Sequence, residues 1–391
     1  MDKIKPTLLQ KGFNLTHDFT FKRKVYWHHY LLSDTKDSLF SNIDKNQLIY
    51  DLKHNDAFFI FDHSMDPLVQ PAFKNIFNNL LGLEYFFKIH GIDLDRVIVL
   101  SPTQDFSFYQ NVGGYDYVAA QKREQVNKEF FHIFHNSLWK NFKDYILRKA
   151  QTELPLDKVP EKHFLCLARR DNLNRRFTNY QLHKNNLFKK GIVSHQRVVE
   201  NEIIKSNSEL VSEIKLMSSR KDFDVEKFLE FGFRKHFLDD ILDKGVAAVD
   251  TKFHAQLSQK VCFELVTETD VKGDFFLTEK TLKPIFCKTP FMISGSCYAL
   301  RFLKTLGFQT FDLIFDESYD KEIIFYDRNN LIMKNLKGLC SLPLSNCLKL
   351  VNSVKDILEF NRDHFLDNDW SFDLELKVNN RIDKVLNVQK F

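Results

Sequence analysis

Val266-Thr-Glu-Thr-Asp270 and, after a short gap, Phe276-Leu-Thr-Glu-Lys-Thr-Leu-Lys-Pro284 gather acids, hydroxyls and lysines between two apolar runs. The runs are Val261-Cys-Phe-Glu-Leu-Val266 before them and Pro290-Phe-Met-Ile-Ser-Gly295 after, and both read as buried strands. A strand, a loop and a helix N-terminus form the usual phosphate-facing corner of an α/β sheet. Thr278 is placed to cap a helix whose first turn holds Glu279, Lys280 and Thr281. Lys280 and Lys283 suit phosphate, and Glu268 and Glu279 suit sugar or ribose hydroxyls. Glu279 and Lys283 are four apart and share a helical face, so the plainer reading is a surface ion pair on a capped helix. Pro284 argues against that: it removes a backbone donor and bends the helix, tilting the lysine-bearing turn toward a ligand.

Outward from this corner, short apolar runs alternate with helical spacing, which predicts an α/β protein with parallel sheets. Ala57-Phe-Phe-Ile-Phe61 and Arg96-Val-Ile-Val-Leu100 are predicted strands, with a helix between them over 71–90 that closes at Gly91. Residues 123–150 have the pattern of a long helix with an aromatic face, and 200–245 read as helices and an insertion. Thr152-Glu-Leu-Pro-Leu-Asp-Lys-Val-Pro-Glu161 breaks the periodicity and is the predicted linker. Two domains are expected, 1–155 and 162–391, with the last helices crossing back to the first. The second opens on the strand His163-Phe-Leu-Cys-Leu167 and includes a strand near Gln309-Thr-Phe311.

The composition sets limits. Of 391 residues, 43% are apolar, enough for substantial cores. The formal charge of +4 is too mild to argue for nucleic-acid binding by itself. Six scattered cysteines form no Cys-x-x-Cys pair and read as buried thiols, so no metal is expected. No apolar run has the length of a membrane span or the form of a signal peptide, which predicts a cytoplasmic protein. Forty phenylalanines among many Lys, Asn, Ile and Asp point to AT-rich coding.

Arg169, Arg170, Arg175 and Arg176 follow the His163 strand, where planar guanidinium forks would face a ligand crevice. A solvated basic turn is the alternative. Asp62, His63 and Asp66 follow the Ala57 strand, where a carboxylate or imidazole could take a proton from an attacking hydroxyl. The competing reading is an Asx turn, with Asp66 spent on capping before Pro67. His28 and His29, beside Trp27 and Tyr30, read as packing residues. Asp312, Asp316, Glu317 and Asp320 lack calcium-loop spacing and read as a solvated loop.

Phe164-Leu-Cys-Leu-Ala-Arg-Arg-Asp-Asn-Leu-Asn-Arg-Arg176, the Val266 to Ile285 stretch, Pro290 to Ser296 and Leu303 to Phe311 occur in the order found in a group of viral and bacterial glycosyltransferase-like proteins, which this chain resembles. The Thr278-Glu-Lys280 core is similar, more distantly, to the donor motif of α1,3-fucosyltransferases. The chain departs from the group at Ala168, Asp171, Arg175 and Leu282. The resemblance covers roughly residues 162–320. It implies a GT-B fold, two Rossmann-like domains facing a cleft, and a nucleotide sugar as co-substrate without a metal or other cofactor. Arg169, Arg170, Lys280 and Lys283 would then meet phosphate, Glu268 and Glu279 would meet donor hydroxyls, and Arg175 and Thr278 would complete the donor-binding set. The acceptor is left open between a glycan and a hydroxymethylated base in phage DNA, a DNA-modification role. A non-catalytic nucleotide- or nucleic-acid-binding protein is the rival.

Overall fold

The computed structural model describes residues 3–4, 8–10, 13–15, 19–29, 43–62, 83–101, 131–134, 137–148, 158–170, 173–197, 224–231, 251–268, 277–370 and 374–388. It is an α/β protein with parallel sheets. The chain divides into two units, Met1–Asn141 with Asp369–Phe391, and Phe142–Asn368.

In the first unit, β1 (Lys3–Ile4) pairs antiparallel with β4 (Phe19–Thr20), and β2 (Leu8–Gln10) with β3 (Phe13–Leu15). The main sheet runs β5 (Val25–His29), β6 (Phe58–Asp62), β7 (Val97–Ser101), β8 (Phe131–Phe134), all parallel and in chain order. Side chains alternate faces along a strand. Phe59 and Phe61 therefore pack with Leu48 and Leu52 of the Lys45–His54 helix and with Leu83 and Phe87. Phe58 and Ile60 turn the other way, onto Leu374, Val378, Ile382 and Val385 of the Leu374–Val388 helix. Buried Asp51 ties the Lys45 helix to β5 by accepting from Lys24, Tyr26, Gln47 and Asn55. Burial opposes its charge, but these donors win and hold the carboxyl well below the carboxylate range.

The second unit holds a parallel sheet in the order β10 (Gly191–Arg197), β9 (Lys162–Arg170), β11 (Val261–Thr267), β12 (Phe291–Ser294). The chain goes from β9 outward to β10, then returns to the other side for β11. The order thus reverses between β9 and β11, the place where open α/β sheets bind ligands. Gly191 is required for close approach, since a Cβ there would lie 2.5 Å from the Phe164 ring. At the opposite end of the sheet, the Lys158 ammonium donates to the carbonyls of Ser258 and Val261 and to Thr289 Oγ1. Burial pulls its pKa down to about 8. All six cysteines are free and buried, and burial pushes the thiols of Cys166, Cys262, Cys287 and Cys340 up to about 12.

Three sequence expectations are corrected. Within 123–150 the described residues are not one helix: Phe131–Phe134 is a sheet strand and only Ser137–Arg148 is helical. Gln309-Thr-Phe311 is not a strand, because Asn361 takes both backbone groups of Gln309, N–H and carbonyl at 2.8 Å each, as a strand partner would. The acidic run is not simply solvated. Glu317 accepts from the Phe311 N–H and the Thr310 hydroxyl, and Asp320 is buried. No described helix is long and apolar enough to cross a membrane.

Candidate functional site

β11 ends at Thr267, and Glu268 follows it almost fully buried, at 1% exposure. Two neighbours fix this strand end from the Leu173–Lys184 helix. Asn174 Nδ2 donates to the Glu268 carbonyl at 2.8 Å, and Arg175 Nε to the Thr267 carbonyl at 3.4 Å. On the other flank the Glu268 N–H donates to the Ser294 carbonyl of β12 at 3.1 Å. Gly295 makes room here, since a Cβ at that position would sit 3.2 Å from Glu268 Cβ.

The Glu268 carboxylate organises the next helix, Glu279–Phe286. Its Oε1 accepts from the Thr278 N–H at 2.9 Å and the Thr281 hydroxyl at 2.7 Å; its Oε2 accepts from the Thr278 hydroxyl at 2.8 Å. Thr278 is the N-cap, and its oxygen also accepts from the Lys280 N–H at 3.2 Å and from Lys280 Nζ at 3.0 Å. Every acceptor position of the cap is thus used by the helix it starts. Pro284 supplies no N–H to the Lys280 carbonyl, so the first turn rests on this cap more than on its own ladder.

Charge collects around the cap. Lys280 Nζ lies 3.8 Å from both Glu268 Oε2 and Glu279 Oε1. Burial lowers the Lys280 pKa, and nearby Arg175 and Lys283 lower it further against the pull of Glu279 and Glu268. Burial alone would raise Glu279, but Lys280, Lys283 and Arg175 hold it below its ordinary value. Arg175, Glu268, Thr278, Glu279, Lys280 and Lys283 therefore meet at one corner, at the C-terminal ends of β9 and β11. Glu279 and Lys280 keep 20% and 24% of their side chains exposed, so this turn is open to a ligand. A partly exposed lysine at a helix N-terminus favours an anion. Glu279 can accept from a hydroxyl beside it.

The second helix at this edge, Ala299–Thr305, is closed to anions. Asp320 caps it from a distance, accepting from the Leu300 N–H at 2.8 Å and the Arg301 N–H at 3.1 Å. The phosphate-facing corner read from the sequence thus narrows to the Glu279 helix. Behind β12, the Arg328 side chain, 1% exposed, donates Nε to the Gly295 carbonyl at 3.0 Å and Nη1 to the Ile323 carbonyl at 3.0 Å. Next to it, Asn329 Nδ2 donates to Thr178 and Ser294 hydroxyls at 3.1 and 3.2 Å. The roles of Asn174, Thr281, Asp320, Arg328 and Asn329 were missed in the sequence. Only the density of Asp-Glu-Ser-Tyr-Asp320 hinted at one of them.

Arg169 and Arg170 are the last residues of β9 rather than the start of a loop, and their side chains lie outside the described residues. In the first unit, Asp62 is the last residue of β6, buried, and accepts from Trp27 Nε1 at 3.0 Å. His63 and Asp66 lie outside the described residues. Among the described residues no group of three or more His, Cys, Asp or Glu is arranged to hold a metal ion. No protein-family model, curated protein or solved structure matches the chain.

Proposed function

We propose that the protein is a nucleotide-sugar-dependent glycosyltransferase of GT-B architecture. The observation that carries this reading is the meeting of Arg175, Glu279, Lys280 and Lys283 at the ends of β9 and β11, around a helix start held by Glu268. A departing nucleotide carries its negative charge on phosphate, and fixed cations with a helix N-terminus stabilise such charge without reorganising. Lys280 and Lys283 take the phosphates in this reading, with Arg169 and Arg170 at the end of β9 as further phosphate candidates. Glu279 binds a donor hydroxyl. Glu268, first assigned the same task, is bonded to the helix start and serves as its buttress.

In the first unit Asp62 is the described candidate for the acceptor's base, at the C-terminal end of its strand. His63 and Asp66, which follow in sequence, remain proposed alternatives. The acceptor stays a choice between a glycan and a hydroxymethylated base in DNA. The rival, a non-catalytic nucleotide- or nucleic-acid-binding protein, uses the same cations but no base.

A thermal-shift panel of nucleoside mono- and diphosphates and their sugars tests the reading, since a ligand bound only to the native state raises the midpoint. One nucleotide family should stand out, and its sugar should be slowly hydrolysed. Stabilisation without hydrolysis favours the binding module. No stabilisation by any of them removes the proposal.

A further inference from the structure

Among the described residues, Tyr298 is the one aromatic residue with positive φ (62°). Its ψ is 19°, which places it in the left-handed region, where glycine or asparagine is the cheaper choice. The neighbourhood enforces this conformation. The Asp320 carbonyl accepts from the Tyr298 N–H at 2.6 Å, while the Asp320 carboxylate accepts from the next two turn-forming N–H groups, those of Leu300 and Arg301. Tyr319 on the same segment receives the Ile293 N–H of β12 on its hydroxyl, at 3.3 Å. Strain that a fold fixes so completely, at the ligand edge of a sheet, calls for a use of the side chain.

The ring is half-buried, and the guanidinium of exposed Arg301 lies over it, 5.8 Å from its centre. Together they make a flat platform with a cationic margin. It stands three residues beyond Gly295, which itself abuts Glu268. Three residues reach at most ~11 Å, so the Tyr298 backbone stays near the strand end that Glu268 occupies. Resting on the nucleotide reading of the corner at Lys280, we propose that Tyr298, with Arg301, is the platform on which the nucleobase of the bound nucleotide stacks. Aromatic rings and arginine planes both stack on bases with little regard to which base it is. Selection among bases would fall to other groups.

The test compares ADP, GDP, CDP and UDP with inorganic pyrophosphate by calorimetry, on wild type and on Y298G, Y298F and Y298W. Glycine is the informative replacement because it relieves the positive φ, so Y298G should melt no lower than wild type. Wild type should bind at least one nucleotide more tightly than pyrophosphate. Y298G should lose roughly ten- to hundredfold of nucleotide affinity and keep its pyrophosphate affinity, and Y298F and Y298W should retain both. K280A should weaken nucleotide and pyrophosphate alike. Full nucleotide affinity in Y298G overturns the platform while leaving the phosphate corner standing. Wild type that binds neither nucleotide nor pyrophosphate overturns both.

Discussion

Replacing Glu268 separates a buttress from a ligand-binding group. Its carboxylate accepts three hydrogen bonds, two on Oε1 and one on Oε2, and Lys280 is 3.8 Å away. In E268Q the amide oxygen can keep the Oε1 pair, but the amide nitrogen faces Thr278 Oγ1. That oxygen already accepts from the Lys280 N–H and Nζ. One charge-assisted bond is lost, and one of the two acids near Lys280 with it. At about 1.5–3 kcal/mol for a bond to a charged group, the cost is about 2–3 kcal/mol. For a unit of this size that lowers the melting point by roughly 4–12 °C. E268A also strands the Thr278 N–H and should cost about 3 kcal/mol or more. Calorimetric melting of wild type, E268Q and E268A, with nucleotide affinity measured alongside, decides the matter. If E268Q melts within ~2 °C of wild type yet loses its nucleotide, the carboxylate faces the ligand and the buttress argument is wrong.

Lys280→Ala removes a cation that is 24% exposed. It should weaken nucleotide binding by roughly one to two decades with little change in melting; unchanged affinity in calorimetry would refute its phosphate role. Lys158 has a folded pKa of about 8 against an ordinary 10.5, so stability is fully present above 10.5 and is lost as pH falls through 8. That gap is worth at most about 3 kcal/mol. Wild type should therefore gain stability relative to K158M between pH 8 and 10.5, and parallel melting curves across that range would contradict the assignment. Asp62→Asn should slow turnover by about a hundredfold to ten-thousandfold while donor affinity holds; near-normal turnover would move the search for the base to His63 and Asp66.

Strands were legible where both faces are covered. Phe58 to Phe61, Val97 to Leu100 and Phe164 to Leu167 are continuous apolar runs in the middle of their sheets, and Val261 to Val266 is one broken only by the buried Glu264. Of the four edge strands of the two main sheets, β12 is an apolar, buried Phe-Met-Ile-Ser, while β5, β8 and β10 carry Tyr-Trp-His-His, Phe-His-Ile-Phe and Ser-His-Gln-Arg. Such strings satisfy a half-covered strand and a helix equally well, so periodicity could not separate them. At the corner, Thr278 to Lys283 was readable because a cap and its first turn are local in sequence. Glu268 was found as a residue but not in its role, since its task depends on a cap ten positions on, with Asn174 and Arg175 over ninety positions earlier. Asp320 and Arg328 act on backbone groups many residues away and left almost no local trace.

The Leu374–Val388 helix belongs to the first unit, where it covers one face of the β5–β8 sheet. The first unit's chain is therefore interrupted by all of Phe142–Asn368. Domains made during translation usually fold in the order in which they leave the ribosome. Here the order inverts. The second unit has every one of its residues by Asn368, while Phe58, Ile60, Ile98 and Leu100 still wait for Leu374, Val378, Ile382 and Val385. Until those residues are synthesised, half of the first sheet stays a bare apolar surface. The unit that begins the chain is the last to finish, and a nascent chain stalled before Leu374 is the form most exposed to aggregation and in need of a chaperone.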